Sequence, residues 1–188
     1  MGIDLSKGAR IDLSKEAPGL TKVRIGLGWD TNATDTGGEF DLDASVFMID
    51  ANGKVPAEKF FVYYNNKTSE DSSVEHHGDN LTGAGDGDDE VVDVDLSKVN
   101  EKITEITFIV TIHEAESRRQ NFGQVSNSFI RLLDGDNEIA KYELDEDFST
   151  ETAIEFGKLY KKSGSWRFQA VGTGYNSGLQ SFVDKYIG

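Results

Sequence analysis

A chain of 188 residues with 34 acidic and 19 basic side chains carries a formal charge of −15, which argues against nucleic acid as a direct partner, because phosphate binding needs clustered Lys and Arg. The absence of cysteine excludes disulfides and thiolate chemistry. Hydrophobic residues make up 37% and aromatics 10%, the composition of one globular domain over residues 1–188 rather than of a disordered chain.

The N-terminus, MGIDLSKGAR, has no apolar stretch of the signal-peptide kind. No run approaches the roughly 18 apolar residues of a membrane span. A soluble cytoplasmic protein is therefore expected. The tetrapeptide DLSK occurs at Asp4, Asp12 and Asp95; the first two copies are expected to form a small hairpin around Gly8. Strands dominate the rest of the chain. Lys22 to Leu27 alternates as a half-buried strand does, and Phe40 to Ile49 begins with alternation and ends apolar. Phe60 to Tyr64 is aromatic and β-branched. Val91 to Leu96 alternates, and Ile106 to Ile112 is a short apolar run rich in β-formers. Phe129 to Leu133 and Ile139 to Leu144 flank DGDN, a hairpin signal. Trp166 to Val171 alternates again.

Two helices are expected near the C-terminus. Ser149 to Lys162 opens on capping residues and Glu151 and ends in two lysines before Gly164. Leu179 to Ile187 gathers its apolar residues on one helical face. Strands first and helices last predict a mainly β protein, an antiparallel β-sandwich with two short C-terminal helices. If successive main strands run antiparallel, the segments 30–39, 66–90 and 113–124 fall at one end and the DGDN turn at the other.

The segment GDNLTGAGDGDDE, Gly78 to Glu90, concentrates glycine and carboxylates in a window that holds no Lys or Arg between Lys67 and Lys98. Ca²⁺ takes about six to eight oxygen ligands, and glycine lets a backbone curl so that they converge. Asp79, Asn80, Asp86, Asp88, Asp89 and Glu90 are suitable donors. The spacing is not that of an EF-hand, because Leu81, Gly83 and Ala84 occupy its third, fifth and sixth positions. A solvated acidic loop is the alternative. Asp30 closes GLGWD, and Asp41 and Asp43 share one face of their strand. Glu114 and Glu116 open the third segment at the same end. Three acidic loops at one end of a sandwich is the arrangement of C2-type calcium binders. Asp43 could equally face solvent, and Glu116 could pair with Arg118 or Arg119.

Several patterns carry no site. Gly78 to Gly83 lacks the Lys and Ser or Thr of a phosphate loop. His113-Glu114 lacks the second histidine of a zincin. His76 and His77 read as a surface loop pair rather than a zinc site. VGTGYNSG, Val171 to Gly178, misses dinucleotide spacing and reads as a tight turn.

Together GLGWD, FDLDAS, FVYYNN, GDNLTGAGDGDDE, IHEAE, QNFGQV and AVGTGY resemble the TerD family of bacterial tellurite-resistance and stress proteins. The resemblance spans the whole chain. It implies a calcium-binding β-sandwich, and a non-enzymatic part in tellurite and general stress resistance alongside other proteins of the same cluster, near the inner membrane face. The family's acidic positions correspond to Asp30, Asp41, Asp43, Asp79, Asn80, Asp88, Asp89 and Glu90, with Asp86 less firmly matched. The number of acids exceeds what one ion needs, so two adjacent Ca²⁺ ions are expected, shaping a surface for a partner protein. The alternatives are a calcium-independent acidic interaction module and a C2-like membrane-surface binder. Direct tellurite reduction is not expected without cysteine or a cofactor motif.

Overall fold

The computed structural model describes residues 2–31, 42–79, 88–113, 115–144, 148 and 150–187. Two six-stranded sheets face each other. The first runs, edge to edge, β1 (Ile3–Leu5), β10 (Asn137–Glu143), β9 (Val125–Asp134), β3 (Lys22–Thr31), β7 (Glu90–Asp95) and β6 (Val74–Asp79). The second runs β2 (Arg10–Asp12), β12 (Ser165–Tyr175), β11 (Ala153–Lys162), β8 (Ile103–Ile112), β4 (Leu42–Asp50) and β5 (Phe61–Val62). The pairings of these strands are antiparallel except β1 with β10. Short helices α1 (Leu13–Glu16) and α2 (Ala115–Arg118) and a longer α3 (Leu179–Tyr186) complete the chain.

Alternation builds the core. Val23, Ile25 and Leu27 of β3, Val92 and Val94 of β7, and Ile130 and Leu132 of β9 are all buried, as are Val46, Met48, Ile106, Phe108 and Val110 from the other sheet. The β8 run is buried on both faces, which is why it reads as continuously apolar rather than alternating. α3 packs on the outer side of this sheet: Phe47 of β4 lies 6.3 Å from Phe182 and 5.1 Å from Tyr186, ring centre to ring centre, and Tyr175 of β12 meets Phe182 edge-on at 5.1 Å. The sequence expectation of a helix at Leu179 to Ile187 is met.

The other expected helix is a strand. Residues 153–162 form β11, turned back onto β12 by Ser163 and Gly164, both at positive φ (53° and 80°). Two consecutive positive φ values make the two-residue hairpin turn that matches strand twist. Glycine at that point serves this turn as well as it would stop a helix. A bulge between Glu155 and Gly157 breaks the alternation that would have marked the strand.

Other expectations are corrected too. The two N-terminal DLSK copies form no hairpin, because β1 joins β10 in one sheet and β2 joins β12 in the other. What the second and third copies share is local: Asp12 accepts bonds from the backbone N–H and hydroxyl of Ser14, and Asp95 does the same for Ser97. This is the self-bonding turn that Asp favours. The Phe60 to Tyr64 strand shrinks to Phe61–Val62 behind a 3-10 turn at Glu58–Phe60. VGTGYNSG is no tight turn: β12 runs on to Tyr175, with Gly172 at φ 67°. His76 and His77 sit on strand β6 rather than in a surface loop.

The end-to-end expectation holds in the registers for the segments after β3 and β8, but not for all of 66–90, where β6 starts at the opposite end with Val74 beside Val94 and only its end returns to Glu90. Leu27 pairs with Glu90 and Thr31 with Val125, so the end of β3 lies beside the starts of β7 and β9. Leu42 pairs with Ile112, so the start of β4 lies beside the end of β8. The turn between Asp134 and Asn137 closes β9 and β10 at the opposite end.

Candidate functional site

Among the candidate ligands, Asp30, Asp43, Asp88, Asp89 and Glu90 are described with their side chains; Asp41, Asn80 and Asp86 lie outside the described residues. Asp79 is placed by its backbone, paired with Glu90 at the end of β6, and Glu116 by its backbone in α2. The five acids stand at one end of the sandwich, and strand alternation sends them in different directions.

Asp88 lies over the outer face of the first sheet. Arg131 grips it with two bonds, Nε to Oδ1 at 2.8 Å and a terminal nitrogen to Oδ2 at 3.0 Å. Such bidentate pairs are strong and orienting. Gly26 is directly opposite Arg131 in the ladder, and a Cβ there would collide with the Asp88 carboxylate. Glycine in mid-strand here marks a close approach.

Asp89 caps the end of β3. Its backbone N–H donates to the Leu27 carbonyl (2.8 Å) and its Oδ2 accepts from the Trp29 N–H (2.8 Å). The β3–β9 ladder breaks register between Gly28 and Asp30, and a side chain supplies what the ladder does not. Asp30, next along, accepts from the Asn127 amide at 2.8 Å.

Glu90 points inward and is 1% exposed. Its Oε2 accepts from the Ala44 N–H (2.9 Å) and from His76 Nε2 (3.0 Å). The same His76 nitrogen lies 3.1 Å from the Ala44 carbonyl. Placed between two acceptors, Nε2 carries the proton. Glu90 and His76 belong to the first sheet and Ala44 to the second, on the flank of β4 that β5 does not reach. An imidazole and a carboxylate thus satisfy Ala44 as a neighbouring strand would. Buried backbone groups require such partners.

Asp43 stands apart. It precedes Ala44 and so projects from the opposite face of β4, into a cavity bordered by the start of α3. Among the described residues no three His, Cys, Asp or Glu side chains form a cluster able to hold a metal ion. Asp30 and Asp89 gather at the β3 end, while Asp88, Glu90 and Asp43 each face elsewhere.

The sequence reading missed Arg131, Gly26 and Asn127, and set aside as a surface residue the His76 that meets Glu90 in the core. Gly26, interrupting an alternating strand, was the one visible signal. On the outer face beside this end, His77 and Arg24 both hold Asp93, at 2.8 Å and 2.9 Å. Burial pushes the Asp93 carboxyl up, but those bonds outweigh it and hold its pKa below the usual aspartate value.

Comparison with known proteins places these features. A TerD domain family model matches residues 1–186. The chain is 54% identical over 99% of its length to the tellurium resistance protein TerD of Serratia marcescens, covering 97% of that protein. It is 53% identical, with the same coverage, to general stress protein 16U of Bacillus subtilis. A crystal structure of a telluride resistance protein homologue from Streptomyces coelicolor superposes with a TM-score of 0.68 at 23% identity, over 87% of this chain and 95% of that one; it shares the fold.

Proposed function

The chain belongs to the TerD family of tellurium-resistance and general stress proteins, and from that premise we propose that it acts without catalysis, as a calcium-binding protein whose ions shape one end of the sandwich for a partner protein. The observation that supports this reading is the meeting of strand ends. The starts of β4, β7 and β9 lie against the ends of β3, β6 and β8, and acids crowd the segments that join them. Asp30 and Asp89 at the β3 end are hard oxygen donors of the kind Ca²⁺ takes. By sequence the segments 32–41 and 80–87 add Asp35, Glu39, Asp41, Asn80 and Asp86. With Asp79, that is enough carboxylate for two ions.

Asp88 and Glu90 have a bracing part in this proposal. Arg131 holds both oxygens of Asp88, and Glu90 closes the edge of β4. The partner is sought among the other proteins of the tellurite-resistance cluster, with any contact to the inner membrane face made through them. Among the described residues no helix is long and apolar enough to cross a membrane.

Calorimetric titration of calcium into chelator-stripped protein tests the reading. Micromolar binding with a higher melting temperature is expected; at a hundredfold excess over Kd the gain is about 2.7 kcal/mol. Asp30→Asn and Asp89→Asn should weaken binding, whereas Asp88→Asn should lower stability and leave most of the binding. No heat and no thermal shift at millimolar calcium would sink the proposal. Partner binding that survives chelation and falls with salt would point to an acidic interaction module.

A further inference from the structure

The ring of Phe182 in α3 meets Phe47 of β4 on one side and Tyr175 of β12 on the other. In the sheet order, β11 and β8 lie between those two strands, so α3 spans them. Thr107 of β8 stands directly opposite Phe47 in the ladder, and its hydroxyl donates to Glu155 Oε1 of β11 at 2.8 Å. A carboxyl group thus lies between the sheet and the C-terminal helix. We propose that α3 is a pH-dependent strap, fastened while the Glu155 carboxyl is neutral and loosened when it ionises, so that Phe47 and Tyr175 are uncovered.

The ionised form is poorly served at this position. A carboxylate has about four acceptor sites, and among the described residues Thr107 is its one hydrogen-bond donor. Lys158 of β11 gives its Nζ to Glu105 of β8 instead, at 3.3 Å. Lys185 of α3 lies 5.0 Å over the Tyr186 ring. Burial raises the Glu155 pKa above the ordinary 4.5; the Thr107 bond and the charges of Lys158 and Lys185 oppose that rise, and Glu105 adds to it. Tyr175 of β12 and Tyr186 of α3 face the same carboxyl as phenols whose own pKa values burial pushes up. β4 presents the uncharged Phe47.

α3 is able to leave without the sandwich. Its eight residues are fewer than the roughly 12–15 at which an isolated helix becomes even marginal in water. Gly178 gives its start no side-chain cap. Its last carbonyls are held by two bonds, Val55 N–H to Tyr186 at 2.8 Å and Lys54 Nζ to Lys185 at 2.7 Å. The docked pKa is raised, so docking is strongest below 4.5 and weakens as pH rises through the higher docked value. Calcium has no part in this, because Glu155 lies on the second sheet and Asp30 and Asp89 at the β3 end of the first.

Amide hydrogen exchange of the intact protein in chelator between pH 4 and 7, corrected for intrinsic rates, tests this. The Ile187 N–H, bonded to the Val183 carbonyl at 2.8 Å, and its neighbours in α3 should lose protection by at least about threefold across that range. Ile106 and Phe108 in β8 should keep theirs. Glu155→Gln, which retains the Thr107 bond, should abolish the pH dependence and keep α3 closed at pH 7. Thr107→Val removes the one donor and should deepen the loss. The wild-type contrast between α3 and β8 decides the matter even if a variant does not fold. Protection in α3 that is flat with pH, that falls in step with β8, or that keeps its pH dependence in Glu155→Gln would overturn the proposal.

Discussion

Replacing Glu90 tests whether that acid closes the sandwich. In Glu90→Ala the Ala44 N–H keeps its burial and loses its acceptor, which costs about 1–3 kcal/mol. His76 loses the carboxylate, and a hydrogen bond to a charged acceptor is worth about 1.5–3 kcal/mol. The expected loss for Glu90→Ala is therefore about 2.5–6 kcal/mol, a large share of the roughly 5–15 kcal/mol that holds a typical domain together. Glu90→Gln separates charge from geometry. One oxygen, Oε2, accepts both bonds, and a glutamine oxygen in its place accepts the same two. Bonds to a neutral acceptor are each weaker by about 1 kcal/mol, so Glu90→Gln should cost about 2 kcal/mol. Urea unfolding at neutral pH in chelator reads both values without any contribution from metal. A loss below about 1 kcal/mol for Glu90→Ala, the size of a surface change, would refute the account of Glu90 and His76 as a substitute strand.

Gly26→Ala would drive a Cβ into the Asp88 carboxylate. It is expected to cost about 1–3 kcal/mol, and less in an Asp88→Ala background, where a double-mutant cycle detects the coupling. The Asp93 carboxyl has a folded pKa below its ordinary 3.8, so its contribution is complete above that value and lost as pH falls through the lower folded one. Acid unfolding of Asp93→Asn should accordingly show a shallower loss of stability in that window. Glu155 is the opposite case. Burial raises its pKa above the ordinary 4.5 despite the Thr107 hydroxyl bond, so its ionisation opposes folding as pH rises past 4.5. Glu155→Gln keeps the Thr107 bond and should raise the melting temperature at pH 7 but not at pH 4.

Most of the sandwich was legible because strand alternation survives in single segments. Val23, Ile25 and Leu27, like Val92 and Val94, are buried at alternate positions, and most of the end-to-end arrangement came from parity. What was not legible depended on partners distant in sequence. The bulge in β11 is forced by neighbours on both sides, and its local signals suit a helix equally well. The site was legible as a census of acids and not as a geometry. Asp88, Asp89 and Glu90 are consecutive, yet one meets Arg131 on an outer face, one a backbone N–H at a strand end, and one a histidine in the core. No local rule distinguishes them, because the distinction lies in residues 29, 44, 76 and 131.

The crossing of the N-terminal segment from one sheet to the other sets an order of assembly. Ile3 pairs with Ala140 and Asp12 with Arg167, so the first strands made must wait for partners far along the chain. At about 5–20 residues per second on the ribosome, the 155 residues between Asp12 and Arg167 take roughly 8–30 s to appear. β2 is without its partner for all of that time, and β1 until β10 is made. The second sheet closes at this edge only after β12 is made, and a nascent chain stalled short of residue 165 carries an N-terminal segment with one half of its anchorage missing.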